Sequence, residues 1–246
     1  MLRRNLRRMV RYPSLTLSLL GMPAIFLLLF VVVLGGTLGG GLGGDRGDYL
    51  TYVVPGIVLM TVAGTAQGAA ITVAMDMTQG IIARFRTMSI ARGAVLTGHV
   101  AAAVVQAVVG VAVILGVALA LGFRPTAGPL EWLALLGLLA AVVFALTWLC
   151  VALGLVASTV ESASNLPMPI VLLPFLGSGF VPTDSMPAAV RVFAEHQPFT
   201  PIIETIRGLL TGTPIGTSAA VALAWCAVIA LGGHLWARRR YDRETR

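Results

Sequence analysis

Six stretches of this chain, 13–34, 50–74, 99–121, 132–156, 162–181 and 217–237, each run for about twenty residues or more with no Asp, Glu or Arg inside them. At about 1.5 Å of rise per residue, a helix of that length crosses a hydrocarbon core of about 30 Å. Inside lipid the backbone must satisfy its own polar groups, and a helix does so within a single segment. The predicted fold class is therefore an all-α integral membrane protein with six transmembrane helices.

Composition excludes the soluble alternatives. The chain of 246 residues is 57% hydrophobic and 11% charged, a balance a water-soluble domain could hold only with a very large exposed apolar surface. A net charge of +7 raises the possibility of nucleic acid, but five arginines precede the first apolar run and five follow the last, which is how topology signals facing anionic lipid are placed. No nucleic-acid partner is expected. With both termini inside, the cytoplasmic connections hold thirteen arginines (3, 4, 7, 8, 11, 84, 86, 92, 238, 239, 240, 243 and 246) and the outer ones four (46, 124, 191 and 207). That asymmetry, with an even number of spans, places both termini in the cytoplasm of a bacterial plasma membrane. Cys150 and Cys226 fall inside apolar runs and read as small core residues rather than a disulfide framework.

The first outer connection holds eight glycines between Gly35 and Gly47 and is expected to be a flexible loop. Carriers coupled to protons or sodium reveal themselves by carboxylates within their spans, and the span interiors here have none. Gln67, Gln106 and Asn165 are the polar residues well inside spans, with His99 and His234 near the ends. Gln67, Gln106 and Asn165 are either interhelical hydrogen bonders or candidates to line a substrate pathway. No Cys/His cluster has metal spacing, and no nucleophile arrangement is readable, so catalysis by this chain is not expected. The chain contains no lysine and so no phosphate-binding GxxxxGK[ST] loop; energy for uphill movement must come from a partner.

A partner has to dock on the cytoplasmic side, where the longest connection, 76–98, lies. Between Gly80 and Met88 the apolar residues Ile81, Ile82, Phe85 and Met88 recur at helical spacing, with Arg84 and Arg86 elsewhere on the wheel. A short amphipathic helix along the membrane is expected there.

The fifth apolar run carries Pro167, Pro169 and Pro174, each without a backbone donor, and ends near 177–182. Beyond it two short helical pieces follow, about 186–197 and 201–210, with Pro187 in a first turn, Pro198 as the break, Thr200 as N-cap and Gly212 as the stop. Each spans about 15 Å, half a bilayer. Together they hold Asp184, Arg191, Glu195, Glu204 and Arg207, too many charges for a lipid-facing span. A re-entrant outer helical hairpin over 183–212 accounts for length and charge together; an amphipathic loop lying flat on the outer surface is the alternative.

The stretches "GIIARFRTMSIARGAVLTG" and "FLGSGFVPTDSMPAAVRVFAEHQPFT" resemble the permease subunits of type-2 ABC exporters, in particular the daunorubicin-resistance-like drug-efflux permeases of actinobacteria. The resemblance covers essentially the whole chain as one membrane domain, 1–246. It implies an amphipathic connecting helix at 1–12, and an ATPase-coupling helix with Gly80, Ile81, Arg84, Phe85, Arg86 and Met88, Phe85 being the knob that enters a groove of a separate ATP-binding subunit. It also implies an outer gate with Gly179, Pro182, Met186, Phe193, Pro198 and Ile206. The implied assembly is two permease copies, a homodimer in preference to a heterodimer, with two ATP-binding subunits that carry ATP and Mg; this chain binds no cofactor itself. The implied cargo is hydrophobic or amphipathic (a drug, antibiotic or lipid), with a polysaccharide or glycolipid as alternative, and a secondary carrier or membrane-complex scaffold as the alternative of another class. Two departures from the family pattern are Ala83, where relatives often carry an acid, and His196–Gln197 before Pro198, where Asn is common.

Overall fold

The computed structural model describes residues 13–78 and 93–243. The expected connecting helix at 1–12 and coupling helix at 80–88 lie outside those residues. Among the described residues the structure is helical, with no strand. Helix α1 (Pro13–Leu28) runs into one π-helical stretch, Leu29–Val33, and then bends by 69° into α2 (Gly35–Gly41).

The glycine-rich stretch is thus helical where a flexible loop was expected. Its amides find partners locally, with Leu38 N donating to Leu34 O and Leu42 N to Gly39 O. Gly39 also lies so close to the carbonyl of Asp45 that a side chain there has no room. Low side-chain bulk therefore serves a close approach here rather than a loose hinge.

Helix α3 (Arg46–Thr78) extends the second apolar run at both ends. Its start is set by Asp45, whose Oδ1 accepts from Gly47 N at 2.6 Å and Asp48 N at 3.0 Å, while Asp48 Oδ2 accepts from Asp45 N at 2.9 Å. This reciprocal cap satisfies donors that a helix start otherwise leaves open, and Asp48 also complements the positive end of the helix. Helices α4 (Gly93–Ala120) and α5 (Pro129–Val156) follow, and the last long helix, α10 (Ser218–Arg243), packs chiefly on α5.

Helix α3 is the centre of the bundle: it is largely buried, with Val53, Val54, Ile57 and Val58 all inside, whereas α10 is mostly open, with Leu223, Val228 and Leu231 exposed. Small residues set the closest crossings. A Cβ at Gly154 of α5 would lie 2.6 Å from the Ala70 carbonyl oxygen of α3, and one at Gly233 of α10 would lie 2.6 Å from the Leu149 amide nitrogen. Such backbone-to-backbone approach is how membrane helices associate without a hydrophobic drive between them. Four helices, α3, α4, α5 and α10, are long and apolar enough to cross a membrane, and the bent α1–α2 segment is a fifth candidate.

The fifth apolar run is broken, as its prolines predict. It forms α6 (Val160–Asn165), α7 (Met168–Leu172) and a 3-10 turn, Leu173–Leu176, and each of the latter two carries a proline at its first or second position. A proline costs nothing there, because those amides lack helical acceptors anyway. Thr159 caps α6 by accepting from Ser162 N at 3.1 Å. After irregular chain and a 3-10 turn, Thr183–Ser185, come α8 (Ala188–His196) and α9 (Phe199–Thr211). Two starts differ from the sequence reading. Pro187 stands at the N-cap of α8 rather than in its first turn, and α9 begins at Phe199 with Pro198, not Thr200, at its N-cap. The Thr200 hydroxyl donates instead to the Ala194 carbonyl of α8, so it joins the two pieces at the break. Gly212 ends α9 with φ 71°, a left-handed conformation that suits glycine.

Candidate functional site

The pair α8 and α9 is an exposed helix followed by a buried one. In α8 only Ala194 is buried; Val192 and Phe193 are open, and Arg191 pairs with Asp184 at 2.6 Å and Glu195 at 2.7 Å. The hydrogen bond that Arg191 donates to Glu195 and the charge of Asp184 push the Arg191 guanidinium above its ordinary pKa. In α9 nearly every residue is buried, with Ile202, Ile203, Ile206 and Leu210 inside the main core against α3 and α5. Both charges of α9 have partners: Glu204 Oε2 accepts from Ser218 Oγ at 2.9 Å, and Arg207 lies over the Tyr52 ring at 4.0 Å from its centre.

Between the broken fifth run and α8, residues Gly177–Phe180 are buried but not helical. An irregular backbone at such a place is tolerated only if other groups satisfy it. Two side chains from distant places in the chain do so, and a third braces the 3-10 turn just before the segment. Tyr49 of α3 donates its hydroxyl to Phe180 O at 3.3 Å, Arg207 of α9 donates to Ser178 O and at 3.4 Å to Tyr52 O, and Gln197 donates to Leu173 O at 3.2 Å. Gly56 of α3 meets Gly179 backbone to backbone, and a Cβ at Gly56 would lie 2.7 Å from the Gly179 oxygen. Phe26 of α1 and Phe30 of the π-helical stretch that follows it complete the wall against Phe175 and Phe180, the last two stacked at 4.3 Å.

Of the residues assigned to an outer gate, Gly179 and Ile206 are buried together in this region and Pro198 forms the break beside them, whereas Pro182 and Met186 are half-buried at its edge. Phe193, 49% exposed, points away from the bundle in a single chain. The pathway candidates do not converge. Gln67 donates to Ser164 O at 2.7 Å, an interhelical bond between α3 and α6, while Gln106 is half-buried and Asn165 exposed. Gly80, Ile81, Arg84, Phe85, Arg86 and Met88 lie outside the described residues.

Sequence reasoning missed three functional-looking residues. Gln197 was noted as a departure without a consequence, yet it ties the hairpin break to the fifth run. Arg207 was counted only as a charge. Asp76, read as part of a connection, continues α3 and is fully buried, with Oδ2 3.2 Å from His99 Nε2 of α4; Thr72 Oγ1 lies 3.5 Å from His99 Nδ1. Asp76 sits four residues after Thr72 and three after Val73, so helical register continued past the apolar boundary was the available signal.

The bundle has two distinct ends. At one, Tyr49, Tyr52, Phe180 and the hairpin meet, and Thr126 N of the α4–α5 connection donates to Leu210 O. At the other, a second apolar cluster gathers Val73, Val100, Trp148, Leu155, Ala237 and Tyr241 from α3, α4, α5 and α10, with the arginines of α10 beside it. No group of three or more potential metal ligands occurs among the described residues.

Among the described residues, a helical bundle with several apolar spans and a short charged helix, α9, held at one end is that of a multi-pass membrane protein. The chain belongs to the ABC-2 type transporter family, whose model matches residues 1–211. It is 30% identical over 204 residues to the daunorubicin resistance ABC transporter permease protein DrrB1 of Streptomyces coeruleorubidus, covering 82% of this chain and 70% of that protein. It is 27% identical over 229 residues to the probable doxorubicin resistance ABC transporter permease protein DrrC of Mycobacterium tuberculosis, covering 92% and 81% respectively. Membership of this family makes it a transport subunit and implies an ABC ATP-binding partner.

Proposed function

We propose that this chain is the membrane half of an ATP-driven exporter, with two copies and two ATP-binding subunits forming the working unit. The cargo is hydrophobic or amphipathic, a drug, antibiotic or lipid taken from the cytoplasm or inner leaflet; the drug-resistance names of the relatives favour the first. Six crossings follow if the bent α1 segment and Val160–Leu176 each traverse the membrane, and the arginine asymmetry puts both termini inside. The observation that carries the reading is the seat of α9. A helix too short to cross is held inside one end of the bundle by Arg207, which donates to the irregular backbone at Ser178, and by Glu204, which accepts from Ser218 Oγ. Such a plug can close the outer end of a pathway and be released by ATP-driven movement at the inner end. Catalysis belongs to the partner, which holds ATP and Mg.

The deciding experiment is doxorubicin accumulation in cells expressing the chain with an ABC ATP-binding subunit that co-purifies with it. Accumulation is expected to fall relative to cells carrying the partner alone; equal accumulation with intact complex removes the drug-export reading. Reporter fusions after Arg92 and Arg246 are expected to be active in the cytoplasm and one after Arg46 outside, and an external Arg92 fusion overturns the six-crossing topology. Phe85→Ala is expected to leave the chain folded but weaken partner association and lower drug-stimulated ATP hydrolysis by about tenfold, the range of a lost hot-spot contact. Undiminished transport at normal expression removes the coupling assignment from Phe85.

A further inference from the structure

The inner end of the bundle holds a feature that export by itself does not require. Asp76 and His99 are 0% and 4% exposed, and they stand on α3 and α4, the two helices that flank the connection 79–92. A buried polar contact of this kind is seldom a net source of stability, because the loss of hydration offsets the attraction, and well-packed apolar residues of similar volume do as well or better. Its distinguishing property is positional: the attraction between a carboxylate and an imidazole in contact falls off with separation, whereas apolar faces slide. Val73 and Val100, next to the pair, belong to the inner cluster that also includes Trp148 and Leu155 of α5 and Tyr241 of α10. A shift between Asp76 and His99 therefore reaches the inner ends of four helices at once.

We infer that Asp76 and His99 form a clasp that sets the separation of the α3 and α4 inner ends and is needed for ATP-driven movement to reach the bundle. Its second half rests on the reading of this chain as a permease driven by a separate ATPase; its first half concerns this chain alone. Both are positioning residues, with Thr72 beside His99 as a secondary contact.

The test has two arms on the full chain. In lipid nanodiscs, with Cys150 and Cys226 replaced by Ala, spin labels are placed at Thr78→Cys and Ala101→Cys, both exposed. One narrow distance is expected with the pair intact, and a second population in Asp76→Asn and in His99→Leu. The exchanged pair, Asp76→His with His99→Asp, is expected to restore the single distance, which a merely volume-filling role does not do. In the complex with its ATP-binding subunit, either single variant is expected to lower doxorubicin-stimulated ATP hydrolysis about tenfold with basal hydrolysis within about twofold, and the exchange to recover it. An unchanged distance distribution in both single variants overturns the clasp. A split distribution with full doxorubicin stimulation overturns its role in transmission. Absence of stimulation in the unmodified complex counts against the permease reading, and the clasp is then decided by the distance arm.

Discussion

Gly56→Val is expected to cost the fold about 3 kcal/mol or more, at or beyond the upper end of ordinary overpacking. Any Cβ at position 56 meets the Gly179 oxygen at 2.7 Å and its Cα at 2.9 Å, and both are backbone atoms that cannot swing aside. Relief requires α3 and the 177–180 segment to part, which also withdraws Tyr49 and Arg207 from the carbonyls they cover. The unfolding midpoint in detergent should fall by about 6–12 °C at 2–4 °C per kcal/mol, and drug transport should fall with it. Gly64→Ala, two turns further along the same helix, is the matched control: nothing lies within 4 Å of a Cβ there, and alanine is the better helix former, so stability should be kept or slightly raised. Equal behaviour of the two variants would mean that α3 does not approach Gly179 in the membrane.

Arg207→Met should rank next. Methionine preserves much of the volume of the side chain and its apolar contacts but leaves Ser178 O without its donor, at about 1–3 kcal/mol for a buried unpaired group. It also removes the guanidinium from the Tyr52 ring, worth about 0.5–2 kcal/mol. These losses fall on the contacts that seat α9, so local opening should increase more than global unfolding. Reactivity of Ile203→Cys, fully buried in the seated hairpin, toward a soluble thiol reagent is the measurement, with Cys150 and Cys226 replaced first. Reactivity should rise by about tenfold or more, each 1.4 kcal/mol of lost closure being a tenfold gain in the open population. Unchanged reactivity and an unchanged midpoint would show that the carbonyls at 178 and 52 do not need Arg207.

Much of the organisation was legible because lipid imposes few options. The absence of charge over 50–74, 99–121, 132–156 and 217–237 marks four long helices, and the prolines of the fifth run mark its division into short pieces. Pro198 and Gly212 mark the break and end of the hairpin from local backbone chemistry alone. Local signals also misled. The eight glycines from Gly35 to Gly47 suggested looseness, but a helix and a close approach to Asp45 use the same lack of side chains. Thr200 has an N-cap side chain, but a long-range choice between its own helix and the Ala194 carbonyl went to the latter.

The sequence by itself determined the class of molecule, the long apolar helices and the proline breaks of the fifth run, the arginine asymmetry and the presence of two short charged pieces after that run. Those properties follow from runs, periodicity and single residues whose effects are felt within a few positions. Only the tertiary structure decided that α8 is exposed and α9 buried, that Gly56 and not Gly64 has no room for a side chain, and that Tyr49 and Arg207 serve one irregular segment while Gln197 bonds the 3-10 turn before it. It also joined Asp76 to His99 across the connection between α3 and α4. The physical reason is common to all of these: an unsatisfied buried carbonyl or carboxylate fixes that a partner must exist, whereas which residue supplies it depends on distances between segments far apart in the chain.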